Sequence, residues 1–77
     1  MKIKGRQLRD VAKPGMLLVL DDDESWYDYV MILQQLDLLY RDVCCCRFKL
    51  YNLHTLQIDD SVGIYPDEDL KILSDEL

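Results

Sequence analysis

The clearest alternation of apolar and polar residues lies between Val43 and Tyr51. One set of alternate positions holds Cys44, Cys46, Phe48 and Leu50, and the other set holds Arg47 and Lys49. Successive side chains of a β-strand point to opposite faces of the sheet, so this spacing predicts a half-buried strand over 43–51. We expect the first set to line the core and the two basic residues to lie outside it.

Four further segments have patterns typical of strands. Residues 16–20 are a continuous apolar run that fits a central strand, and residues 26–33 are rich in aromatic and β-branched residues. Residues 34–42 fit either a continuation of that second strand or a helical turn. Asn52 suits a tight turn over 52–55, after which 56–58 and 61–65 are predicted to be strands, with Asp59-Asp60 as a break or bulge between them.

The two ends of the chain are less regular. Residues 2–13 form a basic segment with spacing for one or two helical turns, which Pro14-Gly15 ends. Pro66 is expected to open a one-turn helix near the C-terminus, after which Leu70, Ile72 and Leu73 return to the core. We therefore divide the chain into a basic N-terminal segment (1–13), one β-domain (14–73) and a frayed tail (74–77).

The order of these elements resembles the small barrels of the SH3-like and Tudor-like class. The shared features are a glycine-led first strand, an acidic loop, a long bent second strand, a hairpin, and a final strand with a proline-headed turn over 65–70. The resemblance covers 13–73 and implies a mainly β, five-stranded barrel. The Ala-Leu-Tyr-Asp-Tyr signature of signalling SH3 domains is absent, so binding of proline-rich peptides does not carry over.

Charge is unevenly distributed along the 77 residues, whose net charge is −6. Residues 1–13 carry five bases and one acid, a net of +4, and residues 14–77 carry four bases and fourteen acids, a net of −10. An acidic body repels phosphate backbones, and it favours fast encounter with a basic protein surface. We therefore expect a protein partner with a basic surface. Nucleic acid binding through 2–13 is an alternative that the overall charge opposes.

The candidate partner-binding surface combines the acidic loop with the aromatic residues that follow it. Its residues are Asp21, Asp22, Asp23, Glu24, Trp26, Tyr27 and Tyr29. Aromatic residues are frequent anchors of protein interfaces, and beside carboxylates they also suit a cage for a cationic side chain. Trp26 is equally suited to close one end of a barrel. The four acids lack the spacing of a calcium-binding loop, although they suit imitation of DNA phosphates.

Nothing in the sequence predicts catalysis, a cofactor or a metal. The three cysteines are consecutive at 44–46, where alternating strand directions prevent them from converging on zinc, and an odd number excludes a disulfide framework. We expect Cys44 and Cys46 to be buried, while Cys45, on the face of Arg47 and Lys49, is the cysteine that can be exposed and reactive. His54 is the sole histidine, and no nucleophile is placed to pair with it.

These observations predict a non-enzymatic interaction module that binds and modulates a protein partner, with homo-oligomers as a further possibility. The compact one-domain chain resembles small accessory or inhibitor proteins of bacteriophages. A different class is a small-ligand protein that binds or sequesters a nucleotide or signal molecule. No run of 18 apolar residues and no signal peptide are present, so we expect a cytoplasmic site, which is the host cytoplasm for a viral protein.

Overall fold

The computed structural model describes residues 2–21 and 27–74, which form six antiparallel strands and one short helix. The elements are β1 (Lys2–Lys4), α1 (Gly5–Val11), β2 (Leu17–Asp21), β3 (Tyr27–Leu36), β4 (Cys46–Asn52), β5 (Gln57–Ile64) and β6 (Asp69–Ser74). The strands belong to one open sheet in the order β1-β6-β2-β3-β4-β5. The mainly β architecture predicted from the alternation is therefore confirmed. In the described ranges, no helix has the length and apolar content needed to cross a membrane.

The sheet is curled because a short connection joins β5, at one edge, to β6, which lies next to the other edge. From Ile64, where β5 ends, to Asp69, where β6 begins, there are only five Cα steps. Five steps span at most about 18 Å, whereas β5 and β6 would lie about 19 Å apart across four strand spacings of a flat sheet. The sheet therefore bends towards the core side, which gives a globule with a radius of gyration of 11.4 Å.

The concave face of the sheet carries the core, and α1 covers its open side. The buried cluster consists of Leu8, Met16, Leu18, Val30, Ile32, Cys46, Phe48, Leu50, Ile64, Leu70 and Ile72. Leu8 of α1 has no exposed surface, and the helix begins where the Lys4 N–H donates to Gln7 Oε1 over 2.7 Å. The N–H groups of Gly5 and Arg6 donate to the carbonyls of Glu68 and Pro66, so α1 also holds the β5–β6 connection.

Several local predictions are confirmed. Pro14 and Gly15 form the turn before β2, and Gly15 adopts φ +90°, a conformation that glycine accepts without steric cost. The Asn52 side chain accepts the N–H groups of His54 and Thr55, which closes the β4–β5 turn. Asp59-Asp60 is a bulge site rather than a break, because β5 is continuous and its register shifts between the partners of Phe48 and Leu50.

The predicted helix after Pro66 is wrong. Pro66 and Asp67 form a turn that the Glu68 N–H closes on the Tyr65 carbonyl over 3.1 Å, and β6 starts at Asp69. From there the backbone pairs with β1 on one side and with β2 on the other. The N–H and C=O groups that a helix would use are therefore bonded to the neighbouring strands. Leu70 and Ile72 enter the core as expected, but Leu73 faces outward.

Two other expectations also need correction. The five-stranded barrel is not confirmed: β1 adds a sixth strand within the described residues, and the sheet is open. The strand predicted over 43–51 begins only at Cys46, because residues 37–45 form a loop in which Arg41 adopts φ +65°. The structure also decides between the two alternatives for residues 34–42. The strand β3 continues to Leu36, and no helix follows it before β4.

Candidate interaction surface

The convex face of the sheet carries a row of apolar residues that the core does not use. Cross-strand pairing places Leu17 opposite Met31, Met31 opposite Tyr51, and Tyr51 opposite Ile58. Because side chains of paired residues lie on the same face, these four residues form one row from β2 to β5. The pair of Val19 and Tyr29 lies two residues further along β2 and β3, on the same face.

We call this row the outer apolar band. Its residues are Leu17, Val19, Tyr29, Met31, Tyr51, Ile58 and Leu73. Tyr29, Ile58 and Leu73 are 50%, 52% and 46% exposed, whereas Val19 is shielded by its neighbours. Among the described residues, the one helix lies on the opposite face, where Leu8 enters the core. The band is thus an apolar surface in contact with water, which in a monomeric soluble protein is typical of a binding site.

The structure locates three of the seven candidate site residues. Tyr29 lies in the outer apolar band, and its carbonyl accepts the N–H of Leu53. Asp21 and Tyr27 form the last backbone pair of the β2–β3 ladder, two residues beyond Val19 and Tyr29. Asp22, Asp23, Glu24 and Trp26 lie outside the described residues. Within the described residues, the backbone pair of Asp21 and Tyr27 is thus the part of the predicted surface that adjoins the band in the β2–β3 ladder.

The sequence reasoning missed the outer apolar band, although one signal for it was present. A strand with one wet face alternates apolar and polar residues, whereas residues 16–20 are apolar without interruption. Leu18 of that run faces the core, and Leu17 and Val19 face outward. The same holds for Met31 in β3 and Tyr51 in β4, whose inward neighbours are Val30, Ile32 and Leu50.

Arg47 stabilises the long loop between β3 and β4. Its Nη2 donates to Asp42 Oδ1 over 2.6 Å, and its Nε donates to Asp42 Oδ2 over 3.0 Å, which makes a bidentate pair. The hydrogen bonds from Arg47 lower the pKa of the Asp42 carboxyl to about 2, helped by the N–H of Leu39. Arg47 also donates to Ser61 Oγ of β5 over 3.0 Å. This cluster links the loop to the sheet, and the positive charge of Arg47 is paired with the negative charge of Asp42.

The three cysteines lie at the start of β4, close to α1. Cys44 and Cys46 are buried as predicted, and Cys46 Sγ is 3.8 Å from the Gly5 carbonyl oxygen. The expectation that Cys45 diverges towards Arg47 and Lys49 is wrong. It precedes the strand, packs half-buried against the core, and its Sγ lies 3.7 Å from that of Cys46. Burial raises the pKa of the Cys46 thiol to about 12.

This geometry predicts an order of thiol reactivity. At neutral pH, a pKa of about 12 in place of 9.0 lowers the thiolate fraction of Cys46 by about a thousandfold. We expect iodoacetamide to modify Cys45 first in the folded protein, with Cys44 and Cys46 modified only after denaturation. Mass spectrometry of peptides after timed alkylation measures this order. Equal labelling of Cys45 and Cys46 in the native protein, or stoichiometric zinc in the purified protein, would contradict it.

Other chemistry-bearing residues are dispersed. His54 is exposed in the β4–β5 turn. Within residues 2–21 and 27–74, no three His, Cys, Asp or Glu side chains are arranged to hold a metal ion. No family model matches the chain, and comparisons with curated proteins and with solved structures found no match.

Proposed function

We propose that this protein is a non-enzymatic interaction module that binds and modulates a protein partner. Binding occurs through the outer apolar band together with the acidic and aromatic residues at its loop end. The observation that supports the proposal is that β2 is apolar on both faces, while the core of the described residues lies on only one of them. Tyr29, Ile58 and Leu73 of the band are about half exposed, so their remaining apolar surface is removed from water only when a partner covers it.

The chemistry of the band favours a protein over other ligands. Leu17, Met31, Ile58 and Leu73 supply aliphatic surface, and Tyr29 and Tyr51 are residues of the type that anchors protein interfaces. In the β4–β5 turn, which lies in sequence between Tyr51 and Ile58 of the band, Leu56 is 70% exposed and adopts φ +59°, a strained conformation for leucine. A strained, exposed leucine is better explained by a contact than by stability of the isolated chain.

Charge sets the expected partner. The net charge of −10 over residues 14–77 favours a basic surface on the partner. Asp21 ends β2, the strand that carries Val19, and Asp22, Asp23 and Glu24 follow it in sequence before β3, the strand that carries Tyr29. Trp26, Tyr27 and Tyr29 are the proposed aromatic anchors at this end. The curled sheet is compatible with a variant of the SH3-like barrel, and a small bacteriophage accessory or inhibitor protein in the host cytoplasm remains our proposal for its setting.

Binding kinetics test this function once the partner has been captured. Replacing Asp21, Asp22, Asp23 and Glu24 by Asn or Gln is expected to slow association about tenfold at low salt and to flatten its salt dependence. Tyr29→Ala is expected to speed dissociation about tenfold or more, because a buried aromatic anchor is lost. Surface plasmon resonance at low and high ionic strength measures both rates.

The matched control for Tyr29→Ala is Tyr40→Ala. Tyr40 is 90% exposed and lies in the loop before β4, away from the band, so its loss leaves both rates unchanged. If Tyr29→Ala and the acid replacements also leave both rates unchanged, the proposed surface is wrong. Self-association through the band, detected by analytical ultracentrifugation, would identify a second copy as the partner. Binding to nucleic acid with a steep salt dependence would instead support the basic segment 2–13.

A small-ligand function is the second candidate, and one observation favours it. A groove of about 550 Å³ lies at the β1–β6 side of the convex face. This volume falls within the range of pockets that hold metabolites. A rise in melting temperature with one compound of a metabolite screen, without any protein partner, would support this function.

A further inference from the structure

The groove on the convex face combines an apolar floor with two lysines. It is lined by Val19, Tyr29 and Leu73 of the outer apolar band, and by Lys2, Asp69 and Lys71 on its β1–β6 side. Lys2 lies directly opposite Lys71 in the β1–β6 ladder, and Lys71 lies directly opposite Val19 in the β6–β2 ladder. Both ammonium groups therefore project from the face that carries the band.

The two lysines lack carboxylate partners of their own. Asp69, the acid of the groove, forms an ion pair with Lys4, its neighbour in register. Across the part of the chain that the structure describes, neither Lys2 nor Lys71 forms an ion pair. Like charges directly opposite each other on paired strands destabilise a sheet. The pair thus costs free energy in the isolated protein, although the chain carries fifteen acids.

An anionic ligand removes this cost, and the apolar floor decides its class. A carboxylate between the two ammonium groups neutralises their repulsion, while an adjacent aliphatic side chain covers Val19 and Leu73. A phosphate backbone offers no aliphatic group for that floor, so the apolar lining favours a carboxylate that is carried next to aliphatic side chains. The lining residues come from four neighbouring strands, β1, β6, β2 and β3, so the groove crosses the sheet and offers contacts to several consecutive residues of a peptide.

We propose that this groove binds an acidic, aliphatic peptide segment of the partner, with its carboxylate held between Lys2 and Lys71. The inference rests on the proposed function. It adds that the interface carries acidic residues at one place and a pair of lysines at another. The partner presents basic residues towards Asp21, Asp22, Asp23 and Glu24, and a carboxylate towards the lysine pair. Such opposed charges fix the orientation in which the partner docks.

Short peptides test the groove without the partner. The probe is the capped tetrapeptide Leu-Glu-Leu-Glu, and the matched controls are Leu-Gln-Leu-Gln and Leu-Lys-Leu-Lys. Titration into ¹⁵N-labelled protein is expected to shift the amide signals of Val19, Tyr29, Lys71 and Leu73. The Glu peptide is expected to bind about fivefold more tightly than the Gln peptide at low salt, and this preference should vanish at high salt.

Lysine variants separate recognition from folding. Lys71→Gln and Lys2→Gln should each remove the preference for Glu over Gln, while Lys13→Gln, in the exposed turn before β2, should retain it. Because Lys71→Gln also removes a like-charge pair, its melting temperature should equal or exceed that of the native protein. A melting temperature that falls would show that Lys71 has a structural role, which overturns the assignment.

The remaining outcomes discriminate the alternatives. Equal binding of the Glu, Gln and Lys peptides, or binding of none, overturns the carboxylate groove. Decanoate that binds at the same amides when the Glu peptide does not would overturn the peptide as occupant and favour a small-molecule ligand. The proposed function is tested separately by Tyr29→Ala. If Tyr29→Ala abolishes binding of the partner while Lys71→Gln leaves it unchanged, the proposed function is retained and this groove is rejected.

Discussion

Phe48→Ala is expected to remove about half or more of the stability of the protein. Phe48 lies in β4, has no exposed surface, and packs among the residues of the core cluster. Truncation of such a side chain leaves a cavity in addition to the lost transfer free energy, which together cost about 3–5 kcal/mol. A chain of 77 residues has a free energy of unfolding of roughly 4–12 kcal/mol. The melting temperature should therefore fall by about 15 °C or more.

Urea unfolding followed by circular dichroism measures this change. Tyr40→Ala is the matched control, since it removes an aromatic side chain that is 90% exposed and should change the free energy of unfolding by no more than about 0.5 kcal/mol. Phe48→Leu should lie between the two, because it retains an apolar group in the cavity. Equal stability of Phe48→Ala and Tyr40→Ala would show that the inward register of β4 is wrong.

The register of β4 was predictable because two basic residues interrupt its apolar residues at alternate positions. Four apolar residues at alternate positions, interrupted by Arg47 and Lys49, fit only one orientation towards the core. The hairpin turn was predictable for a similar reason, since the Asn52 side chain can bond the backbone two and three residues on. Both predictions rest on interactions between residues close in the sequence.

The C-terminal strand was not predictable in the same way. Pro66 followed by three acids is typical of a helix start, and local preference favours that interpretation. Asp69–Ser74 nevertheless forms a strand because its neighbours are β1 and β2, which begin 67 and 52 residues earlier in the chain. Pairing with strands so distant in the sequence cannot be recognised from the residues of β6 alone. It overrides a helical preference worth only a few tenths of a kcal/mol per residue.

The same distinction applies to the candidate site. Aromatic and acidic residues of 21–29 were visible as a cluster because they are contiguous in sequence. The outer apolar band and the Lys2–Lys71 pair are assembled from up to five strands, so only the sheet register brings them together. Tyr29 belongs to both groups, and it is therefore the residue whose replacement most directly tests the proposed surface.

Gly5→Ala is expected to destabilise the fold, against the usual effect of this substitution in a helix. Alanine is about 1 kcal/mol more favourable than glycine in a helix on intrinsic propensity alone. Here, however, a Cβ on Gly5 would overlap the carbonyl oxygen of Tyr65 and come within 2.9 Å of Ile64 Cγ2. The overlap is with backbone, and that backbone is held in place by the Glu68 N–H on the Tyr65 carbonyl and by the Gly5 N–H on the Glu68 carbonyl.

Relief of this overlap requires α1 to move away from the β5–β6 connection, which exposes Leu8 and breaks the closure of the curled sheet. We expect a loss of about 2–3 kcal/mol, measured by urea unfolding, with a larger loss if Leu8 leaves the core. Gly15→Ala is the control: its Cβ meets no atom within 4 Å, so it should cost only about 1 kcal/mol from its φ of +90°. If Gly5→Ala proved as stable as the native protein, α1 would not dock on Tyr65 and the open side of the sheet would have to be closed by another segment.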